Sequence, residues 1–217
     1  HQEFGRDAAR YCWKCPEVNM TIVVATTNAH KLSEIRYILN KLPYTIESIK
    51  KHSKVKEPEE TGNTFAANAR LKALYYSSEV SQLTVAEDSG LEIDRLDGAP
   101  GIHSARYPGA TYQDKFKRIY AQLQARGFST SPARFVCALA LAQNQEIVFE
   151  SQGVIEGQIT EHPAGIAGFG YDPIFYYPPY SRTLAELTPD QKARVSHRGQ
   201  AFRILHEHLI RHHLTKP

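Results

Sequence analysis

Cysteine is scarce in this chain. Three in 217 residues (Cys12, Cys15 and Cys137) are an odd number, and a chain of this length can bury a core without covalent staples, so nothing points to a disulfide-built scaffold. Long apolar runs are missing too. No stretch approaches the roughly 18 residues that a membrane helix needs, so no membrane span or membrane partner is expected, and 41% apolar residues speak against a disordered chain. There is no second CxxC to complete a zinc site with Cys12-Trp13-Lys14-Cys15, and no strand precedes that pair as a thioredoxin-like motif requires. Residues 1–19 lack an apolar signal core, and Met20, the only methionine, stands directly before the first strand-like run. Met20 is therefore expected to be the natural start, with 1–19 an extension outside the fold and 20–213 one domain.

Charge of one sign is also lacking overall, the net charge being +3, but it is unevenly placed. Residues 191–217 hold six Lys or Arg against Glu207 alone, +5 in a chain whose remainder is −2. Such an end can be a nucleic-acid face, or a basic solvated helix with a phosphate pocket near its start. The chain has no recognisable nucleic-acid motif, so no nucleic-acid partner is expected. His208 and His212 are spaced to share a helix face as metal ligands, yet they have no acidic or Cys partner nearby and read as a solvated tail.

Short β-rich runs alternate with helical periods. Thr21 to Thr26 reads as a buried strand, and Leu32, Ile35, Ile38 and Leu39 recur at helical spacing. Tyr44 to Ile49 is a second strand, Phe65 to Val80 a helix capped by Asn63 or Thr64, and Leu83 to Glu87 a third strand. Thr111 caps a helix ending near Gly127. Ala133 to Ala142, Glu146 to Ser151 and Val154 to Thr160 follow as an antiparallel meander. Thr188-Pro189-Asp190-Gln191 is a capping box, and Ser196 opens a closing helix through Ile210. The class is α/β with a mixed sheet.

Four stretches are denser in polar groups than a scaffold needs. Thr26-Thr27-Asn28-Ala29-His30-Lys31 joins a strand to a helix, where exposed N–H groups and the helix dipole favour phosphate, although Asn28 can equally be a plain cap. Glu87-Asp88, with Glu59-Glu60, offers the oxygen ligands Mg²⁺ takes, or else solvated acids. Gly168-Phe169-Gly170-Tyr171-Asp172-Pro173 lets backbone approach a ligand beside an aromatic ring and a carboxylate, or is a tight turn. Lys192 and Ser196-His197-Arg198 set cationic donors at a helix start, or are capping plus solvated charge.

Read together, TTNAHKLSEI (26–35), EETGNTF (59–65), NARLKA (68–73), EDSGLEID (87–94), GAPGIHSARYPG (98–109), GFGYDPIF (168–175) and KARVSHRG (192–199) resemble the inosine triphosphate pyrophosphatases, in the same order and over about Thr21 to Leu209. The resemblance implies an elongated α/β protein with two lobes around a nucleotide cleft. It also implies a cytoplasmic homodimer that converts ITP, dITP or XTP to the monophosphate and pyrophosphate with Mg²⁺. By position, Thr26, Thr27, Asn28, Ala29, His30, Lys31 and Lys72 are implied to hold the triphosphate. Asp88 is implied as general base and metal-linked carboxylate, and Glu59 or Glu60 as the other metal ligand. Phe169, Gly170, Tyr171, Asp172, Lys192, His197 and Arg198, with Ser89 beside them, are implied to hold the nucleotide. The GFGYD and SHR phrases count against a pyrimidine substrate. Three departures stand out: Glu87 where many members have Asp, Ala67 where many have Glu, and Ala167 where Gly is usual. Ala67 removes a carboxylate and is expected to lower metal affinity. Cys137, in an apolar strand-like run, reads as core.

Overall fold

The structure, a computed structural model, describes residues 20–52 and 55–214. Expectations for residues 1–19, including the Cys12/Cys15 pair, and for the His212 side chain lie outside the described residues. Seven strands form one open sheet in the order β2-β1-β3-β4-β5-β6-β7. β1 (Met20–Val24) lies parallel to both β2 (Tyr44–Ser48) and β3 (Leu83–Ile93). Parallel neighbours need crossovers, and α1 (Ala29–Leu39) and α2 (Phe65–Val80) supply them. The rest of the sheet is antiparallel: β4 (Ser131–Gln143), β5 (Glu146–Ile159), β6 (Phe175–Tyr177) and β7 (Arg182–Thr183). α3 (Tyr112–Ala125) connects β3 to β4, and α4 (Pro189–Val195) and α5 (His197–Leu214) close the chain. No helix among the described residues is long and apolar enough to cross a membrane.

The helices start where their caps place them. Asn28 Oδ1 accepts from the backbone N–H of His30 (2.9 Å) and Lys31 (3.2 Å), Thr64 caps α2, and Thr111 with Asp114 forms a full capping box on α3. Thr188 and Gln191 do the same for α4, with Pro189 in the first turn. Ser196 Oγ accepts from Gly199 N–H (3.0 Å) at the start of α5. Because strand side chains alternate, the sheet has two apolar faces. Leu83 and Val85 of β3 pack with Ile35 and Leu39 of α1 and Phe202 and Leu205 of α5. Ala86 faces the other way, toward Phe65, Ala69 and Ala73 of α2. Further along, Leu91 and Ile93 join Phe116, Ile119 and Leu123 of α3 in a third cluster.

Two expected breaks in the sheet are not there. β3 does not end at Glu87: its pairing with β4 runs unbroken from Thr84↔Ala142 to Ile93↔Ala133. The acids that look like a strand end are instead buried mid-strand, where cations compensate them. Likewise the runs expected over 146–151 and 154–160 merge into one strand that ends at Ile159, with Gly153 paired to Cys137 at its centre. Gly153 is there for close approach, since a Cβ would lie 2.0 Å from the carbonyl oxygen of His197. It lets the start of α5 rest on the sheet. Gly153→Ala should therefore push this helix start off β5 and destabilise the protein by about 1–3 kcal/mol. Urea denaturation checks this, and unchanged stability would mean that the helix start has room to move.

Candidate functional site

The first turns of α1 and α5 converge on β3. Glu87 sits fully buried beneath them, and one of its oxygens, Oε1, takes both Lys31 Nζ (2.8 Å) and the Arg198 guanidinium (3.3 Å). Its other oxygen accepts only from the Cys137 thiol (3.5 Å). Arg198 reaches on to Glu34 (2.7 Å) and Ser89 Oγ (2.9 Å). Glu34 also takes Lys192 (2.7 Å), and Lys192 pairs with buried Asp172 (2.5 Å), whose carboxylate accepts the Phe169 N–H (2.7 Å). The result is one alternating line of charge, Lys31–Glu87–Arg198–Glu34–Lys192–Asp172.

Burial alone would drive the Glu87 carboxyl up, but Arg198, Lys31 and Lys72 outweigh it and hold the group well below the carboxylate range. Glu34 is likewise lowered, burial being outweighed by Arg198 and Lys192. For Asp172 burial wins over Lys192 and the carboxyl is raised. His197 is pushed well below its ordinary value by burial and then by the charges of Arg198 and Lys192, so its ring is neutral. That ring stacks on Phe135 (4.7 Å, 9°). Two buried atoms in this cluster lack a partner, His197 Nδ1 and Arg198 Nε. The Phe169 ring receives Lys192 Nζ at 4.6 Å and the Arg198 guanidinium carbon at 5.6 Å. These side chains line a hollow with Asn28, Lys31, Ser89, Tyr112 and Asp172, and Phe169 and Lys192 also border an adjoining cavity of about 320 Å³ beside Glu34 and Tyr37.

Asp88, one residue on, points to the opposite face. It accepts from Asn68 Nδ2 (3.1 Å) and Lys72 Nζ (3.2 Å), and Lys72 in turn reaches Glu60 (2.7 Å), which also holds Arg106 (2.5 Å). Burial raises the Asp88 carboxyl, Lys72 opposes this, and the charges of Glu60 and Glu87 add to the rise. Lys72 is raised in turn: its burial is outweighed by Asp88, Glu87 and Glu60.

The adjacent acids therefore do not gather in one place, because the pleat separates Glu87 from Asp88. Glu60 turns into the cluster while Glu59 is exposed. Thr26 Oγ1 accepts from Asn28 N–H (3.2 Å), Asn28 caps α1, and Thr27 and Ala29 are exposed beside it. His30 is stacked on Phe169 (5.3 Å, 12°). Tyr171 is buried against Tyr112 and donates its hydroxyl to the Ser104 carbonyl (2.8 Å), with Gly170 before it at positive φ. Glu34, Asn68 and Arg106 escape a reading that looks only for unusual clusters. Helical spacing carried the signal for two of them: Glu34 lies three residues from Lys31, and Asn68 four from Lys72, so each shares a helix face with its lysine.

The chain matches the Ham1 family model over residues 22–208 and belongs to that family. It is 42% identical over 191 residues to the dITP/XTP pyrophosphatase of Exiguobacterium sp., covering 88% of this chain and 97% of that one. The enzyme of the same name from Exiguobacterium sibiricum is 43% identical over 191 residues, 86% and 95% of the two chains. Among solved structures, a HAM1 protein from Coxiella burnetii superposes with a TM-score of 0.82 at 40% identity, over 88% of this chain and 99% of the other.

Glu87→Gln removes the counter-charge shared by Lys31 and Arg198 and should destabilise the fold by about 3–5 kcal/mol at neutral pH. A carboxyl lowered in the folded state stabilises fully above its ordinary value of 4.5, and that contribution is lost as pH falls through the folded value. The gap between wild type and variant, read by urea denaturation, should thus hold from pH 7 to about pH 5 and narrow on further acidification. A gap that does not change down to about pH 3 would contradict the pairing.

Proposed function

We propose that this chain hydrolyses the non-standard purine nucleoside triphosphates ITP, dITP and XTP to the monophosphate and pyrophosphate. Membership of the Ham1 family and relatives named dITP/XTP pyrophosphatase support the reaction class. The observation that carries a preference for 6-keto purines over adenine is the pair of buried atoms without partners, Arg198 Nε and His197 Nδ1, on two side chains that border the same hollow as Phe169. A guanidinium N–H and an uncharged imidazole nitrogen complement the 6-keto acceptor and N1–H that hypoxanthine, xanthine and guanine share. Adenine reverses both groups and leaves donor facing donor. A site built to hydrogen-bond one such group can reject the analogue by roughly 10⁴–10⁵. In this reading Phe169 stacks on the base, and Gly170, Tyr171, Asp172, Lys192 and Ser89 shape its pocket.

The triphosphate lies at the other end. Thr26 to Lys31 bring it to the positive end of α1, and Lys31 and Lys72 meet its charge. Asp88 is the general base that takes a proton from the attacking water. A carboxyl raised by burial holds that proton better than an exposed one, which brings it closer to the working pH. Glu60 and Asp88 fit a magnesium ion. Both carboxylates are drawn to one ammonium, that of Lys72, so the place already suits a cation. Magnesium is commonly held by one or two carboxylates with waters and phosphate oxygens completing its shell, which is what this pair can offer. The ion, when bound, neutralises charge on the phosphates and lowers the pKa of bound water. Glu59, exposed, stands apart from this pair. A homodimeric assembly, a cytoplasmic setting and a catalytic unit of residues 20–213 belong to the same reading through the resemblance.

The test is pyrophosphate release from ITP, XTP, GTP and ATP, with magnesium and with excess chelator. ITP and XTP should turn over far faster than ATP, and only with the cation. Asp88→Asn should lower kcat by about 10²–10⁴ with circular dichroism unchanged. Near-wild-type turnover in that variant would remove Asp88 from the role of base, and equal turnover of ITP and ATP would remove the base-reading role of His197 and Arg198.

A further inference from the structure

The line of charge on the Glu87 face joins the two ends of the proposed substrate site. On one side is Lys31, partly exposed at the mouth of α1 and free to follow a phosphate; on the other is Arg198, fully buried below the base pocket. Both cations lean on the same atom, Glu87 Oε1, at 2.8 and 3.3 Å. Two cations on one oxygen repel each other and compete for it, and the shorter contact belongs to Lys31. Glu87 cannot escape to water, because its side chain is sealed between β3 and the first turns of α1 and α5, and among the described residues its second oxygen meets the Cys137 thiol alone. Any change in the pull of Lys31 is therefore felt at Arg198.

We infer that Glu87 is a positioning residue that couples triphosphate binding to base selection by sharing its Oε1 between Lys31 and Arg198. This rests on the reading that phosphates are held at Lys31 and the base at Arg198. When phosphate draws the Lys31 ammonium away, Oε1 is left to Arg198 alone. The guanidinium, already fixed at Glu34 and Ser89, is then held along its whole edge and presents Nε–H to the base in one orientation. Without phosphate the competing ammonium loosens that hold. Discrimination is greatest for a nucleotide that still carries its triphosphate, which is the state in which choice matters. Coupling between sites is reciprocal, so a correct base also tightens the phosphate end by the same factor.

The experiment measures the affinity of IMP and of AMP by calorimetric titration, with and without saturating pyrophosphate, in one magnesium-containing buffer. Direct repulsion between monophosphate and pyrophosphate is common to both ligands and cancels in the AMP-to-IMP ratio of dissociation constants. In the wild type pyrophosphate should raise that ratio by about fivefold or more, the lower end of ordinary coupling between sites. Lys31→Met removes the competitor, so its ratio should already stand at the raised level and not respond to pyrophosphate. Glu87→Gln should show a low ratio that does not respond. Should this variant fail to fold, wild type and Lys31→Met decide the matter between them. A merely structural Glu87 would weaken IMP, AMP and pyrophosphate together and leave the ratios alone. If all three ligands bind but pyrophosphate leaves the wild-type ratio unmoved, or still moves it in Lys31→Met, the coupling is overturned. If IMP and pyrophosphate do not bind at all, the pyrophosphatase reading itself fails and takes the coupling with it.

Discussion

The pleat of β3 is the constraint on which the site depends. Consecutive strand residues must point to opposite faces, so Glu87 and Asp88, side by side in sequence, are committed to different halves of the protein. An unpaired buried carboxylate costs several kcal/mol, and each face must therefore bring cations to its acid. On one side this fixes where α1 and α5 begin, because Lys31 and Arg198 must both reach one oxygen. On the other it fixes α2, whose Asn68 and Lys72 sit one turn apart over Asp88. The close contact of Gly153 with the His197 carbonyl follows from the same need. A bulkier residue there would lift the helix start that delivers His197 and Arg198.

Much of the fold was legible because its boundaries are made by local chemistry. Thr111 and the Thr188-Pro189-Asp190-Gln191 box each cap the helix that their local chemistry predicts, Thr64 rather than Asn63 caps α2, and Ser196 bonds the first turn of α5. Ile119 and Leu123 face the core as helical spacing requires. What failed was the reading of polar and glycine positions as breaks. Glu87 to Gly90 reads as the end of a strand only if charge implies solvent. Here charge is buried against charge, which depends on residues more than a hundred positions away, and no local pattern shows it. Gly153 misleads for a related reason, since its role is set by a helix that arrives 44 residues later.

At the site, the families of residue were legible and their grouping was not. The lysines, acids and aromatic ring that stand out in the sequence do meet in buried ion-paired clusters, but the two adjacent acids read as one cluster, and the pleat makes them two. Glu34 went unnoticed because a single acid on an amphipathic helix is ordinary, yet it joins Lys192 to Arg198 and without it the line of charge is cut in two. His30 was grouped with the phosphate end by its neighbours in sequence, while its ring lies on Phe169. Helical geometry separates adjacent residues by about 100°, so Lys31 turns inward to Glu87 while His30 turns along the surface to the aromatic ring.

The charge balance of the two faces says something about the form of the substrate. Lys31, Arg198 and Lys192 are matched by Glu87, Glu34 and Asp172, and Lys72 and Arg106 by Glu60 and Asp88. Within these clusters no positive charge is left over. A bare triphosphate entering such a site would meet carboxylates already holding the cations it seeks, and at a few ångströms in a partly buried setting each such repulsion is worth kilocalories. A triphosphate that arrives with a divalent cation does not face this barrier. In the proposed reading Glu60 and Asp88 would hold that cation, and Lys72, released from between them, would be free to bind phosphate. The pairing of Lys72 with Glu60 and Asp88 that stabilises the ligand-free protein would thus also screen ligands, because a partner that replaces the lost positive charge opens it at least cost.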